Sequence, residues 1–204
     1  MSNPPVPAAD SRTERIRQIV RMRMAGLSVL LESIYDPANR AAVMRTAEAF
    51  GLTSVHLVDR DAAQKHRARK VSRSAERWLQ ICDHTDSTTA LTSLRAQGFR
   101  IYAADPRGET VLHDLPFDLP TILAFGNEHR GLSSELLDGA DVRFRIPMRG
   151  FVESLNLSTA AAVAIAVARS RREAAIGALS DLTETEQAAL VTTLNGHSER
   201  NQND

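Results

Sequence analysis

Residues 146–172, IPMRGFVESLNLSTAAAVAIAVARSRR, constrain this chain more than any other stretch. They open on a turn punctuated by Pro147 and Gly150 and pass through a polar cluster of Glu153, Ser154, Asn156 and Ser158. From 155 to 168 the apolar residues fall on every side at helical spacing, which predicts a helix enclosed by protein all round. Fourteen residues are too few to span a bilayer. Arg169, Arg171 and Arg172 would suit the negative end of the helix dipole, and Ser154, Asn156 or Ser158 would suit its N-cap. The fold must therefore surround a helix and leave a polar mouth at its start.

A chain of 204 residues with 43% hydrophobic and 25% charged side chains fits one soluble globular domain with short extensions. No apolar run reaches membrane length, and MSNPPVPAADSRTE lacks the order of a signal peptide, so a cytoplasmic protein is expected. The single Cys82 excludes an internal disulfide, and the scattered histidines form no i,i+4 pair. No metal site is expected. The net charge is zero, but Arg12, Arg15, Arg17, Arg21 and Arg23 crowd one segment, and Lys65, Arg67, Arg69, Lys70, Arg73 and Arg77 another. Such patches either bind phosphates or are solvated faces; composition leaves both open.

Read in order, residues 1–9 are too Pro-rich and polar to pack and are expected to be disordered. Residues 11–24 predict a basic amphipathic helix with Ile16, Ile19, Val20 and Met24 on one side. Strands are expected at 27–31, 54–58, 78–82, 99–104, 121–125 and 142–146. Helices are expected at 37–50, opened by Pro37 and closed by Gly51, and at 87–97, 133–137, 155–168 and 183–194. Residues 60–74 read as a basic loop. Short apolar strands alternating with helices mean a mostly parallel sheet flanked by helices, an α/β fold. In such sheets ligands sit beyond the carboxyl ends of the strands, here after Ala104, Phe125 and Ile146.

Three segments carry candidate chemistry. NRAAVMRTAEAFG places Asn39 in the first turn of its helix and Arg45 six residues on, about 120° around the axis. FGNEHRGLS is a strand, a glycine-bounded turn and a helix start, with Glu128 able to pair with a cation or accept from a donor. Its spacing fits neither the dinucleotide fingerprint nor a P-loop. The third is the polar mouth, where Ser154 and Asn156 either cap the helix or wall a pocket.

These three segments, in this order, resemble the motifs of the TrmH (SpoU) branch of the SPOUT RNA methyltransferases. The third motif, IPM-x-G-x-V-x-SLN-x-S, is matched almost throughout by 146–158; the second is GNEHRGLS, and the first is Asn39, Arg45 and the following TAEAFG. The resemblance spans roughly residues 12–173 and implies a division into a basic N-terminal helix (10–26), the methyltransferase domain (27–175) and a helical C-terminal extension (176–204). It implies a deep C-terminal trefoil knot, threaded by the helix after Ser154, although topology rules treat knots as exceptions. It also implies a homodimer with composite sites, S-adenosyl-L-methionine as cofactor, and 2′-O-methylation of a ribose in RNA.

By the same resemblance, Arg45, Asn39, Glu128, Ser154 and Asn156 would be catalytic. Ala104, Gly126, Asn127, Ile146, Met148 and Leu155 would hold the cofactor, and Arg12, Arg15, Lys65, Arg67, Arg69, Lys70 and Arg73 would bind RNA. Ribosomal-RNA methylating relatives usually carry a separate N-terminal RNA-binding domain, whereas 26 residues precede the first strand here. That short Arg-rich start resembles the members acting on guanosine 18 of the tRNA D-loop, which makes tRNA the expected partner. Those members show His-Lys-Pro-His-Asn before the first motif where this chain has Tyr35-Asp36-Pro37-Ala38-Asn39. Another tRNA position, ribosomal RNA, and a non-catalytic RNA-binding protein are the alternatives.

Overall fold

The computed structural model describes residues 12–59 and 76–199. Seven strands form one sheet: β1 (Leu27–Glu32), β2 (Ser54–Val58), β3 (Gln80–His84), β4 (Arg100–Ala104), β5 (Thr110–Val111), β6 (Thr121–Phe125) and β7 (Val142–Arg145). Their order is β3-β2-β1-β6-β4-β7-β5, and every pairing is parallel. All carboxyl ends therefore share one edge, with β6, β4 and β7 side by side.

The strands are apolar because both faces are covered, and their residues divide with a period of two. Val29, Leu31, Val55, Leu57, Leu123 and Phe125 face one core, packed against α2 (Pro37–Ala49) and α5 (Leu157–Ile176). Leu30, Val58, Ile122 and Ala124 face the other, under α3 (Ser87–Ala96) and α4 (Ser134–Gly139). Phe125 and Phe144 meet edge to face at 6.5 Å, an arrangement that adds roughly 1 kcal/mol to their burial. A third, smaller cluster joins α1 (Arg12–Val20) to α6 (Glu184–Glu199) through Ile16, Val20 and Leu194, with Trp78 beside them.

Several expectations are corrected. Helix α1 ends at Val20, so Arg23 is not part of a basic face: it is buried, donating to the Leu52 carbonyl and Glu48. Strand β3 starts at Gln80, two residues late, because a 3-10 turn (Glu76–Trp78) occupies the predicted start. Helix α5 does not stop at the arginines but runs on to Ile176, where Gly177 closes it at φ +67°. Arg169 and Arg172 are buried side-chain anchors rather than dipole partners. Arg169 donates to the carbonyls of Met22 and Leu179, and Arg172 to Asp181. The same Asp181 carboxylate accepts from the backbone of Ala25 and Gly26, fixing the entry to β1; a Cβ at Gly26 would strike both side chains. Nor is α5 enclosed all round by this chain, since Val163 and Val167 are only half-buried.

Arg12, Arg15, Arg17 and Arg21 are exposed, as a phosphate-binding face requires. Lys65, Arg67, Arg69, Lys70 and Arg73 lie outside the described residues. Among the described residues no helix is long and apolar enough to cross a membrane, and no group of histidine, cysteine and acidic side chains suits a metal ion.

Candidate active site

A cavity of about 650 Å³ opens where β4, β6 and β7 end, the edge at which parallel sheets bind ligands. The volume lies within the range of small-molecule sites. All six expected cofactor residues, Ala104, Gly126, Asn127, Ile146, Met148 and Leu155, line it, as do Glu128, Ser154 and Asn156.

One wall is the turn after β6. Asn127 and Gly131 exchange backbone hydrogen bonds of 3.0 and 2.8 Å, with Gly131 at φ +70° closing the turn. Gly126 must lack a side chain, since a Cβ there would lie 2.2 Å from the backbone of Gly131. The Asn127 amide donates to the Ser33 carbonyl and its oxygen accepts from the backbone of His129 and Arg130. Asn127 thus supports the wall as well as lining it. Beneath it, the buried carboxylate of Glu32 accepts from the hydroxyls of Ser87 and Ser133 and, at 2.7 Å, from the Ser133 backbone. The end of β1 is thereby bolted to the starts of α3 and α4. Sequence reasoning missed Glu32, because its partners lie 55 and 101 residues away.

Glu128 projects from that turn toward the start of α2. Its carboxylate accepts from the backbone of Tyr35 (2.9 Å) and Asp36 (3.2 Å) and from the side-chain amide of Asn39 (3.0 Å). Burial would raise its pKa, but hydrogen bonds from Asn39, Tyr35, its own backbone and Asp36 outweigh this and hold it below the ordinary carboxylate range. The Asn39 oxygen in turn accepts from the Asn156 amide at 3.1 Å. The Asn156 oxygen caps α5, accepting from Ser158 and Thr159. Asn156 thus both caps the helix and lines the cavity. Glu128, Asn39 and Asn156, drawn from three segments, form one hydrogen-bonded chain along the rim.

The opposite wall, 146–155, makes no backbone–backbone hydrogen bond among the described residues, so its donors and acceptors are free for a ligand. Ser154 lies on it, exposed. A cavity of this size, with apolar Leu132 and Phe144, uncommitted backbone groups and polar Asp105 and Glu128, fits a flat heterocycle with a cationic tail. Arg45 is not brought to the cavity: it is exposed on another face of α2.

The comparisons agree with this geometry. A protein-family model described as the SpoU rRNA Methylase family matches residues 26–166. The tRNA (guanosine(18)-2′-O)-methyltransferase of Thermus thermophilus is 34% identical over 164 residues, 80% of this chain and 84% of that protein. The Escherichia coli protein of the same name is 32% identical over 185 residues, 89% and 80% respectively. The crystal structure of the Aquifex aeolicus TrmH/SpoU tRNA modifying enzyme superposes with a TM-score of 0.79 at 26% identity, covering 93% of this chain and 96% of that one. The SpoU methyltransferase AviRb of Streptomyces viridochromogenes, in complex with AdoMet, gives 0.64 at 25% identity, covering 74% and 62%. With the family model matching well over half of its length, and relatives above 30% identity covered over four-fifths or more of both chains, the chain belongs to the SpoU methylase family.

Proposed function

We propose that this protein methylates the ribose 2′-hydroxyl of guanosine 18 in tRNA, using S-adenosyl-L-methionine. The observation that carries the reading is the Asn39 amide, hydrogen-bonded at once to Glu128 and Asn156 at the rim of a cavity lined by the six expected cofactor residues. Bound there, S-adenosyl-L-methionine supplies an electrophilic methyl group. Ala104, Gly126, Asn127, Ile146, Met148 and Leu155 would hold it.

A ribose hydroxyl is a poor nucleophile, so alignment and loss of its proton dominate the task left to the protein. Glu128, Asn39 and Asn156 hold the rim rigid, and Ser154 offers a hydroxyl on the facing wall. Arg45 has guanidinium donors and no acceptor. Its role is therefore to grip the phosphate beside the target ribose and stabilise the developing negative charge, while phosphate or water takes the proton. In a single chain Arg45 stands away from the cavity, which supports a homodimer whose sites are composite. The half-buried valines of α5 support the same reading, because a partner can cover them. The contacts of α5 with α2, β1 and β6 support a C-terminal trefoil knot threaded by that helix. Arg12 and Arg15 would bind RNA phosphates, with Lys65, Arg67, Arg69, Lys70 and Arg73 extending the patch. A tRNA substrate supports a cytoplasmic location. The methyltransferase domain would span 27–175, with 10–26 and 176–204 as a basic helix and a helical extension.

The test is Arg45→Ala in a methyl-transfer assay on unmodified tRNA, with the product mapped by 2′-O-methyl sequencing. Methyl transfer should fall at least a hundredfold while cofactor affinity stays within twofold, and the wild-type mark should appear at guanosine 18. Unchanged turnover would remove Arg45 from the mechanism, and a mark elsewhere would overturn the substrate.

A further inference from the structure

Tyr35 stands out among the residues the site does not otherwise use. It is 65% exposed, although large aromatic rings are normally covered. Its mount is nevertheless rigid. The Tyr35 backbone N–H donates to Glu128 at 2.9 Å, through the carboxylate that also holds the Asn39 amide. Its ring meets that of His129 edge-on, with centroids 5.9 Å apart and planes at 65°. His129 is itself fixed, its backbone donating to Asn127 at 3.0 Å, and it lines the cavity beside exposed Arg130. In an edge-to-face pair at least one face of the tyrosine ring stays uncovered by histidine, and the ring is largely open to solvent. Phe151 is more exposed still, but among the described residues its segment makes no backbone–backbone hydrogen bond and its ring meets no other ring.

A flat, open ring, braced by the histidine that precedes exposed Arg130 and one carboxylate away from the candidate catalytic amide, suits one class of ligand. Unstacked RNA bases are recognised by stacking on aromatic side chains, and guanidinium groups add to the attraction. We propose that the Tyr35 ring, braced by His129, is a stacking platform for an RNA base at or beside the nucleotide whose ribose is methylated. The proposal rests on the RNA methyl-transfer reading above and adds to it the residue that orients the base.

The experiment measures methyl transfer to a tRNA transcript by wild type, Tyr35→Phe, Tyr35→Leu and Tyr35→Ala, with cofactor affinity and sedimentation followed in parallel. Tyr35→Phe keeps the flat face and should behave as wild type. Tyr35→Leu keeps apolar bulk without the face, and like Tyr35→Ala should raise the KM for RNA roughly 5- to 100-fold. Saturating turnover and cofactor affinity should stay within twofold. On transcripts carrying an abasic site at the target or at either neighbour, the Tyr35→Ala penalty should vanish for one of the three. An unchanged KM, a penalty equal on all transcripts, or an altered sedimentation coefficient would overturn the platform; the last would make the ring a protein–protein contact. An inactive wild type would instead defeat the methyl-transfer reading itself.

Discussion

On the β6 side of the cavity, Asn127 pins the Ser33 carbonyl and its own turn, Glu32 ties down Ser133, and Glu128 takes three donors from the start of α2. Across the cavity, 146–155 makes no backbone–backbone hydrogen bond among the described residues, and Phe151 projects fully into solvent. On the proposed function, the difference separates two tasks. A wall that must hold reacting groups in place spends its polar groups on the protein itself. A wall that must grip a ligand keeps them free, and can open at low cost.

Breaking the fixed wall should have the largest effect. Glu128→Ala removes the acceptor of three donors, and Asn39 loses its orientation with it. Methyl transfer should fall about a hundredfold or more while the cofactor still binds, since small displacements of positioning groups carry penalties of that size. Glu128→Gln should behave similarly, because its new N–H₂ faces donors. Wild-type kcat in Glu128→Ala would mean that the hydrogen-bonded chain is not part of the chemistry.

Weakening the base of the same wall should show in stability. Glu32 is 2% exposed and accepts from Ser87 and Ser133. Glu32→Ala leaves those donors without that acceptor, a cost of roughly 3 kcal/mol, or about 6–12 °C in Tm for a chain of this size. A thermal melt indistinguishable from wild type would show that α3 and α4 are held by packing alone.

These two carboxylates also mark how far the sequence could be read. Glu128, Asn39 and Asn156 each read locally as ordinary turn or capping residues, and only the resemblance of their three segments to family motifs brought them together in the sequence. The parallel sheet was legible too, because strands covered on both faces become short apolar runs. Glu32 simply ends such a run, and nothing local says that serines 55 and 101 residues on will meet it. Arg169 and Arg172 misled in the opposite direction. Charges after an apolar run look like a helix end, but the carbonyls of Met22 and Leu179 and the Asp181 carboxylate let both be buried within α5. Long-range partners decide these positions, and a single sequence does not display them.

Away from the cavity, the far edge of the sheet offers a control. His56 on β2 is buried and contacts His84 on β3 at 3.1 Å. Burial, and then the charge of His84, lowers its pKa from 6.5 to about 4. Because the folded value is the depressed one, the unfolded chain binds the extra proton first. The stabilisation is present above pH 6.5 and is lost as pH falls toward 4, on the order of 2 kcal/mol by pH 5. His56→Gln should flatten the decline of Tm between pH 7 and pH 5 without altering methyl transfer at pH 7.5. An equally steep decline in the variant would place the acid sensitivity elsewhere.

The open wall should give the smallest effect on the fold. Phe151→Ser removes a ring that touches no core cluster, and exposed substitutions of this kind stay within about 0.5 kcal/mol. Tm should therefore move by no more than about 2 °C. Hydrogen exchange of the amides in 149–155 should already be fast in the free protein and become protected when S-adenosyl-L-methionine is added, while Asn127, Glu128 and Gly131 should change little. Protection of 149–155 without cofactor would erase the contrast between the walls, because it would mean that those amides are satisfied by the protein before any ligand arrives.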